Sequence, residues 1–301
     1  MITIKNVTKS FEDIKAVDDL SIEMKEHSVY GLIGTNGAGK STLLRMMAGV
    51  YKPDYGTILI DENPVWDNPQ TKEKIFFISD NAYFFANSTP EEMERYYKSV
   101  YKDFNSELLH KYLDYFNLGK KRKIRTYSKG MKKQLSILLG ICSRTKYLYC
   151  DETFDGLDPV MRQAIKSLLA EQMEERGLTP IITSHNLREL EDICDTVGIL
   201  HKGGVILSGE LEELKCEIHK VQCVFEDEAA REEVFSMLDV VKEEKRGSLS
   251  VLTIRGSREE TEMVFHRVNT VFYEILELTL EEVFISETGV EGYDIKKILF
   301  G

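Results

Sequence analysis

Apolar positions divide the chain into stretches with different periods. Over 1–26 they alternate with polar residues in two patches: Ile2 and Ile4, then Leu20, Ile22 and Met24 with Ser21 and Glu23 between them. A period of two belongs to a strand buried on one face, so this region predicts an antiparallel sheet. A short apolar run at 29–33 precedes a helix-like stretch at 42–48, a turn at Pro53-Asp54-Tyr55-Gly56 and a strand over 57–60. Over 90–118 the period changes. Met93, Tyr96, Tyr97, Val100 and Tyr101, then Leu108, Leu109, Tyr112, Leu113 and Phe116, have helical spacing and predict a helical insertion at about 88–130. From 128 helix and strand alternate, with helices over 131–142 and 159–175 and strands over 147–150 and 181–183. Short apolar strands between helices predict a parallel sheet covered on both faces, with functional groups at the carboxyl ends of its strands. Strands at 196–201 and 205–208, joined at Lys202-Gly203-Gly204, complete a first domain expected to span 1–215. The remainder, 216–301, reads strand, helix, strand, strand, helix, strand, which predicts a small α+β module of ferredoxin-like order. It carries no catalytic constellation, and regulation, dimer formation or stabilisation are its expected roles.

The chemistry begins in the apolar run at 29–33, which leads into Gly34-Thr35-Asn36-Gly37-Ala38-Gly39-Lys40-Ser41 with Thr42 opening the helix. Gly-x-x-x-x-Gly-Lys-Ser between a strand and a helix is a phosphate-binding loop. Small residues let successive backbone N–H groups turn inward around a polyphosphate, and the helix N-terminus adds partial positive charge. Lys40 is expected to reach the β- and γ-phosphates, and Ser41 to ligate Mg²⁺. Further on, the apolar run at 147–150 ends at Asp151-Glu152, a Walker B pattern. Asp151 is expected to hold Mg²⁺ directly or through water, and Glu152 to polarise the attacking water.

Composition excludes several classes. With 301 residues, 42% of them hydrophobic and 30% charged, the chain has the make-up of a soluble protein with a real core. No apolar run approaches the roughly 20 residues that cross a bilayer, and MITIKNVTKSF has no charged-then-apolar leader. Cys142, Cys150, Cys194, Cys216 and Cys223 show neither CxxC nor metal spacing, which suits a reducing cytosol. There the glycosylation pattern Asn87-Ser88-Thr89, closely followed by Pro90, is not expected to be used. A net charge of −12 argues against nucleic acid as the main partner. The basic run Lys120-Lys121-Arg122-Lys123-Ile124-Arg125, with Lys129, Lys132 and Lys133 after it, fits a solvated surface. It fits equally a face toward nucleotide phosphates or anionic headgroups. The aromatic load of Tyr83, Phe84, Phe85, Tyr96, Tyr97, Tyr101 and Phe104 is either core or a docking surface.

Tyr127-Ser128-Lys129-Gly130-Met131, at the start of a helix, resembles the LSGGQ signature of ABC transporter ATP-binding subunits. It is most similar to the branch paired with ABC-2-type permeases. Ser128 can cap the helix and Gly130 permits close backbone approach. In that family the signature touches the γ-phosphate bound by the other subunit, which implies this for Ser128 and Gly130. Lys129 either adds charge there or points to solvent. Asp155-Gly156-Leu157-Asp158 matches the D-loop, so Asp158 is expected at the nucleotide, and His185 resembles the switch histidine that bonds the γ-phosphate. Phe11 matches the adenine-stacking aromatic, with a strand-face core residue as the alternative. Asp80 stands where the family has its Q-loop glutamine and is expected near Mg²⁺. The segment Leu278 to Phe284 resembles the ending of this branch. The resemblance implies a P-loop NTPase cassette with a parallel-sheet core, an antiparallel N-terminal sheet and a helical insertion, followed by the small C-terminal module. It implies ATP and Mg²⁺ as cofactors, and a homodimer or a heterodimer with a paralogous ATPase subunit. A separate integral-membrane ABC-2 permease, reached from the cytoplasmic face and working in export, is the implied partner, with no nucleic acid.

Overall fold

A computed structural model describes residues 1–283, apart from Asp155 and Glu217. They fall into two compact units, divided between Ser208 and Gly209. The expected limit of 215 lies instead inside a helix, Leu211–Cys216, whose Leu211 and Leu214 are buried.

In the first unit, β1 (Ile2–Phe11) and β2 (Ile14–Met24) pair antiparallel with Ile4 opposite Ile22 and Val7 opposite Leu20. β3 (Tyr30–Gly34) and α1 (Lys40–Met47) follow, then β4 (Tyr55–Ile60) and β5 (Asn63–Pro64). The first sheet has the order β2-β1-β4-β5. Its alternate residues Ile2, Ile4, Ile22, Met24, Ile58 and Ile60 are buried in one core with Leu43, Leu44 and Met47 of α1. The alternation visible in the sequence is therefore the apolar face of this sheet.

The second sheet is built from β3 and later elements: α2 (Pro69–Lys72), β6 (Ile75–Ile78), α3 (Pro90–Val100), α4 (Ser106–Tyr115), α5 (Lys129–Cys142), β7 (Tyr147–Asp151), α6 (Pro159–Arg176), β8 (Thr179–Ser184), α7 (Leu187–Glu191), β9 (Thr196–His201) and β10 (Gly204–Glu210). Its order is β10-β9-β3-β8-β7-β6. β3 is parallel to β8 and β9, and β7 is parallel to β6 and β8. β3, β7 and β8 are buried along their whole length, as parallel strands covered on both faces must be. The register puts Ile33 beside Ser184 and Asp151 beside Thr183, so three strands deliver their carboxyl ends to one edge.

The insertion is anchored at its start. Thr89 and Glu92 form a reciprocal capping box with Pro90 in the first turn of α3. The glycosylation pattern thus falls on a helix start, with Ser88 and Thr89 buried. The basic run lies against the insertion's own groups. Lys120 is 3.2 Å from Asp114, Lys123 is 3.7 Å from Glu92, and Arg122 lies 5.1 Å from the Tyr127 ring centre. Cys142, Cys150, Cys194 and Cys223 are free and buried, and burial pushes each thiol up.

The second unit holds α8 (Leu211–Cys216), β11 (Ile218–Phe225), α9 (Glu228–Met237), β12 (Asp239–Arg246), β13 (Leu249–Arg255), α10 (Arg258–Arg267) and β14 (Thr270–Leu276). The sheet order is β12-β13-β11-β14, with antiparallel pairs throughout. α9 and α10 each link a central strand to an edge strand, the split βαβ arrangement of a ferredoxin-like fold. Val221, Cys223, Leu252 and Ile254 pack with Val234 of α9 and Phe265 of α10. Phe284 of the expected C-terminal segment lies outside the described residues, as does Asp155.

Candidate functional site

The loop from Gly34 to Gly39 joins the end of β3 to α1. Gly37 and Gly39 have φ of 81° and 101°, left-handed values that a side chain resists. A Cβ on Gly39 would lie 2.3 Å from the Ala16 carbonyl, and one on Gly34 would lie 2.5 Å from that of Leu200. At Gly37 a Cβ would meet nothing within 4 Å, and this exposed glycine with Asn36 opens to solvent. The loop is tightened by a hydrogen bond from Ala38 N–H to the Thr35 carbonyl. Gly39 supplies no side-chain cap to α1. In contrast, Thr89, Asn105, Ser128 and Asp158 each cap their helices. The first turn of α1, with Thr42 in it, thus has no capping side chain at its N-cap position, where an anion can accept from its N–H groups.

Lys40 is buried, and its Nζ donates to the Gly34 carbonyl at 2.6 Å and the Thr35 carbonyl at 3.1 Å. It also lies 3.9 Å from Glu152 Oε1. Ser41 Oγ donates to Asp151 Oδ1 at 2.8 Å, and Thr183 Oγ1 donates to the same oxygen at 3.0 Å. Asp151 is 0% exposed. Among the described residues its Oδ2 accepts no hydrogen bond, and the Arg45 guanidinium lies 3.8 Å away. A buried carboxylate oxygen without a hydrogen bond is costly, and beside a serine hydroxyl it is the hard-oxygen pair that Mg²⁺ takes. Among the described residues no group of three or more His, Cys, Asp or Glu could hold a metal by itself.

Glu152 follows at φ 47°, left-handed for a residue with a side chain. Its N–H donates to the carbonyl and the hydroxyl of Thr183, at 3.2 and 3.0 Å. Its carboxylate, a quarter exposed, stands between two cations or potential cations: Lys40 at 3.9 Å and His185 Nδ1 at 3.9 Å. The histidine is 52% exposed at the end of β8. Phosphate loop, carboxylates and histidine thus meet on one edge. Ser128 and Gly130 lie on α5, where Ser128 accepts from Met131 N–H at 3.1 Å. The site around Gly130 is open, its nearest neighbour to a Cβ being Ser128 Oγ at 3.9 Å. Lys129 is exposed. Asp158 accepts from Met161 N–H at 2.9 Å. Phe11 is an exposed ring at the end of β1 and not a core residue, set edge-on to Tyr51 with centres 5.3 Å apart. The Asp80 carboxylate accepts from the Asn81 side chain at 3.3 Å and lies 3.6 Å from Lys133 Nζ. Among the described residues no bond joins it to Ser41 or Asp151. Thr183 and Arg45 belong to this edge without having been singled out from the sequence, and Lys133, named there only within the basic run, has a contact to Glu152 that was not foreseen. For Thr183, its place at the end of the short apolar run Ile181-Ile182 was the available signal.

The aromatic residues run from core to surface. Phe76 touches Tyr97 with centres 5.1 Å apart, Tyr97 touches Tyr96 at 5.1 Å, and Tyr96 touches Phe85 at 4.9 Å. Phe104 is buried, while Tyr83 is 75% exposed. Phe77, Ala82, Tyr83, Phe85, Met93 and Tyr96 line a groove of about 210 Å³. The sequence offered core or docking surface, and the cluster has members of each kind.

A glycine loop and paired carboxylates at the carboxyl edge of a parallel sheet are the apparatus of a P-loop nucleoside triphosphatase. Comparison with known proteins narrows this class. The ABC transporter family model matches residues 17–155. The ABC transporter ATP-binding protein YtrB of Bacillus subtilis is 29% identical over 96% of this chain and 98% of its own. The bacitracin transport ATP-binding protein BcrA of Enterococcus faecalis is 32% identical over 71% of this chain and 70% of its own. A solved ATP-binding subunit of an ABC transporter superposes with a TM-score of 0.65 at 25% identity, covering 71% of this chain and 92% of its own. The chain belongs to the ATP-binding proteins of ABC transporters. It binds ATP and hydrolyses it. Among the described residues no helix is long and apolar enough to cross a membrane.

Proposed function

We propose that this chain powers an export permease of ABC-2 type, a separate membrane protein that it meets on the cytoplasmic face. It works as one half of a dimer, with a second copy or a paralogue, that closes on two ATP molecules. The observation that carries this reading is Glu152, turned back at the end of β7 to stand 3.9 Å from both Lys40 and His185. A carboxylate so placed can polarise a water attacking the γ-phosphate, with His185 orienting that water. Lys40 and the N–H groups from Gly34 to Thr42 hold the polyphosphate, and the exposed ring of Phe11 offers a face to the adenine. Ser41 and Asp151 would hold Mg²⁺, which when bound would supply positive charge against the phosphates. Asp80, tied to Glu152 through Lys133, sets a third carboxylate on this edge. Ser128 and Gly130 at the start of α5, with Asp158 at the start of α6, face the nucleotide of the partner cassette.

Export is supported by the likeness to a protein named for bacitracin transport. The aromatic groove supports a docking role, because its rings pack inward onto β6 while Tyr83 and Phe85 stay exposed. Expression with its genomic neighbours, gentle detergent extraction and affinity capture of this chain tests the partnership. A multi-span membrane protein is expected in stoichiometric amount. Recovery of this chain alone, or with ribosomes or nucleic acid, would contradict the proposal.

A further inference from the structure

Lys133 sits on α5, yet its ammonium group touches two other parts of the cassette. Nζ donates to the backbone carbonyl of Glu152 at 2.6 Å and lies 3.6 Å from Asp80 Oδ1. The lysine side chain is 16% exposed, so the contact to the carbonyl is made largely out of water. That carbonyl belongs to the residue whose φ of 47° costs about 1 kcal/mol for any side chain. Such a backbone angle persists only where surrounding bonds hold it. Here the two flanking peptide groups are held from opposite sides, the N–H by Thr183 of β8 and the carbonyl by Lys133 of α5. Together they fix the direction in which the Glu152 carboxylate leaves the backbone. Asp80 follows the end of β6, and Ala82 and Tyr83, just beyond it, line the aromatic groove.

We propose that Lys133 is a positioning residue that ties Asp80 to the Glu152 backbone and so couples the groove to the aim of the catalytic carboxylate. The inference rests on the proposed role of Glu152. Movement of the segment around Asp80, as a partner docks, draws on the ammonium group and is felt at the Glu152 carbonyl. Asp80 therefore acts on hydrolysis through Lys133, and its carboxylate, 3.6 Å away, holds the ammonium group in place.

The test uses the full chain and four variants: Lys133→Met, Lys133→Arg, Asp80→Asn and Glu152→Gln. Steady-state ATPase kinetics, binding of a fluorescent ATP analogue and thermal melting are measured for each. Lys133→Met is expected to lower kcat about tenfold with KM, nucleotide affinity and melting temperature unchanged, since a misaimed group costs rate and not binding. Lys133→Arg, which can pair a carboxylate and still donate to a carbonyl, is expected to recover most of kcat. Asp80→Asn is expected to lower kcat by a smaller factor, with no further loss when added to Lys133→Met. If Lys133→Met does not fold, Asp80→Asn alone carries the test through its kcat-against-KM split. Wild-type kcat in Lys133→Met or Asp80→Asn, beside an inactive Glu152→Gln, would overturn the coupling while leaving the role of Glu152 standing. Normal turnover by Glu152→Gln would overturn that role, and the coupling with it.

Discussion

At the scale of single residues the cassette depends on backbone angles that few side chains tolerate. Gly39 is the sharpest case, because φ of 101° and a carbonyl 2.3 Å from any Cβ leave no room for alanine. Gly39→Ala is expected to weaken binding of a fluorescent ATP analogue at least about tenfold, since the loop must open to admit the methyl group. A thermal melt separates this from general unfolding, for the loop is at the surface and the core behind α1 is untouched. Glu152 shows the same economy with a side chain retained. Its left-handed backbone is held by Thr183 and Lys133, and the reward is a carboxylate poised between Lys40 and His185. Asp151 is the complementary case, a buried carboxylate with one oxygen hydrogen-bonded twice and the other accepting no hydrogen bond. Its unsatisfied oxygen marks where a cation is wanted.

Between elements, charged groups join the two sheets of the first unit at the edge opposite the phosphate loop. Asp61, just after β4, accepts from Lys74 and Lys146 at 2.8 Å each and from the Tyr147 hydroxyl at 2.7 Å. Burial alone would raise the Asp61 carboxyl, but these hydrogen bonds outweigh it and hold the group far below the usual carboxylate range. A carboxylate with a depressed folded-state pKa adds stability that is fully present above its unfolded value, about 3.9. That stability is lost as pH falls from there toward the folded value. Asp61→Asn is therefore expected to cost about 2 kcal/mol at pH 7, read as a lower melting temperature. The gap to wild type should narrow as pH drops below about 4. A gap independent of pH would mean that shape and not charge makes the contact.

Elements also show what the sequence could and could not disclose. The phosphate loop is contiguous, so spacing alone placed Gly34 through Thr42 across the end of β3 and the start of α1. The apolar run at the end of β7 likewise placed Asp151 and Glu152 at a strand terminus, and parallel strand order put His185 on the same edge. The roles of Thr183, Arg45 and Lys133 were hidden because they depend on register and helix rotation. Thr183 reaches Asp151 because the two are register partners across β7 and β8. Lys133 reaches Glu152 because α5 turns that face toward the end of β7, which the basic character of its neighbours concealed. Tyr147 read as plain core, yet its hydroxyl serves the charged cluster at Asp61. The ferredoxin-like order of the second unit followed from alternating periods, because each of its helices and strands buries one face.

For the molecule as a whole, the acidic balance, the exposed aromatic groove and the open starts of α5 and α6 describe a part made to work against other chains. Ser128, Gly130 and Asp158 are solvent-facing or partly so at the starts of their helices. The proposed approach to the γ-phosphate bound by a partner cassette needs them so. We propose that nucleotide closes two cassettes and that hydrolysis promoted by Glu152 reopens them. Light scattering on Glu152→Gln, with and without Mg²⁺ and ATP, tests it most directly. With Mg²⁺ and ATP the variant is expected to run at twice the mass of one chain, and without nucleotide at the mass of one. A variant that binds ATP yet keeps the mass of a single chain would contradict the claim.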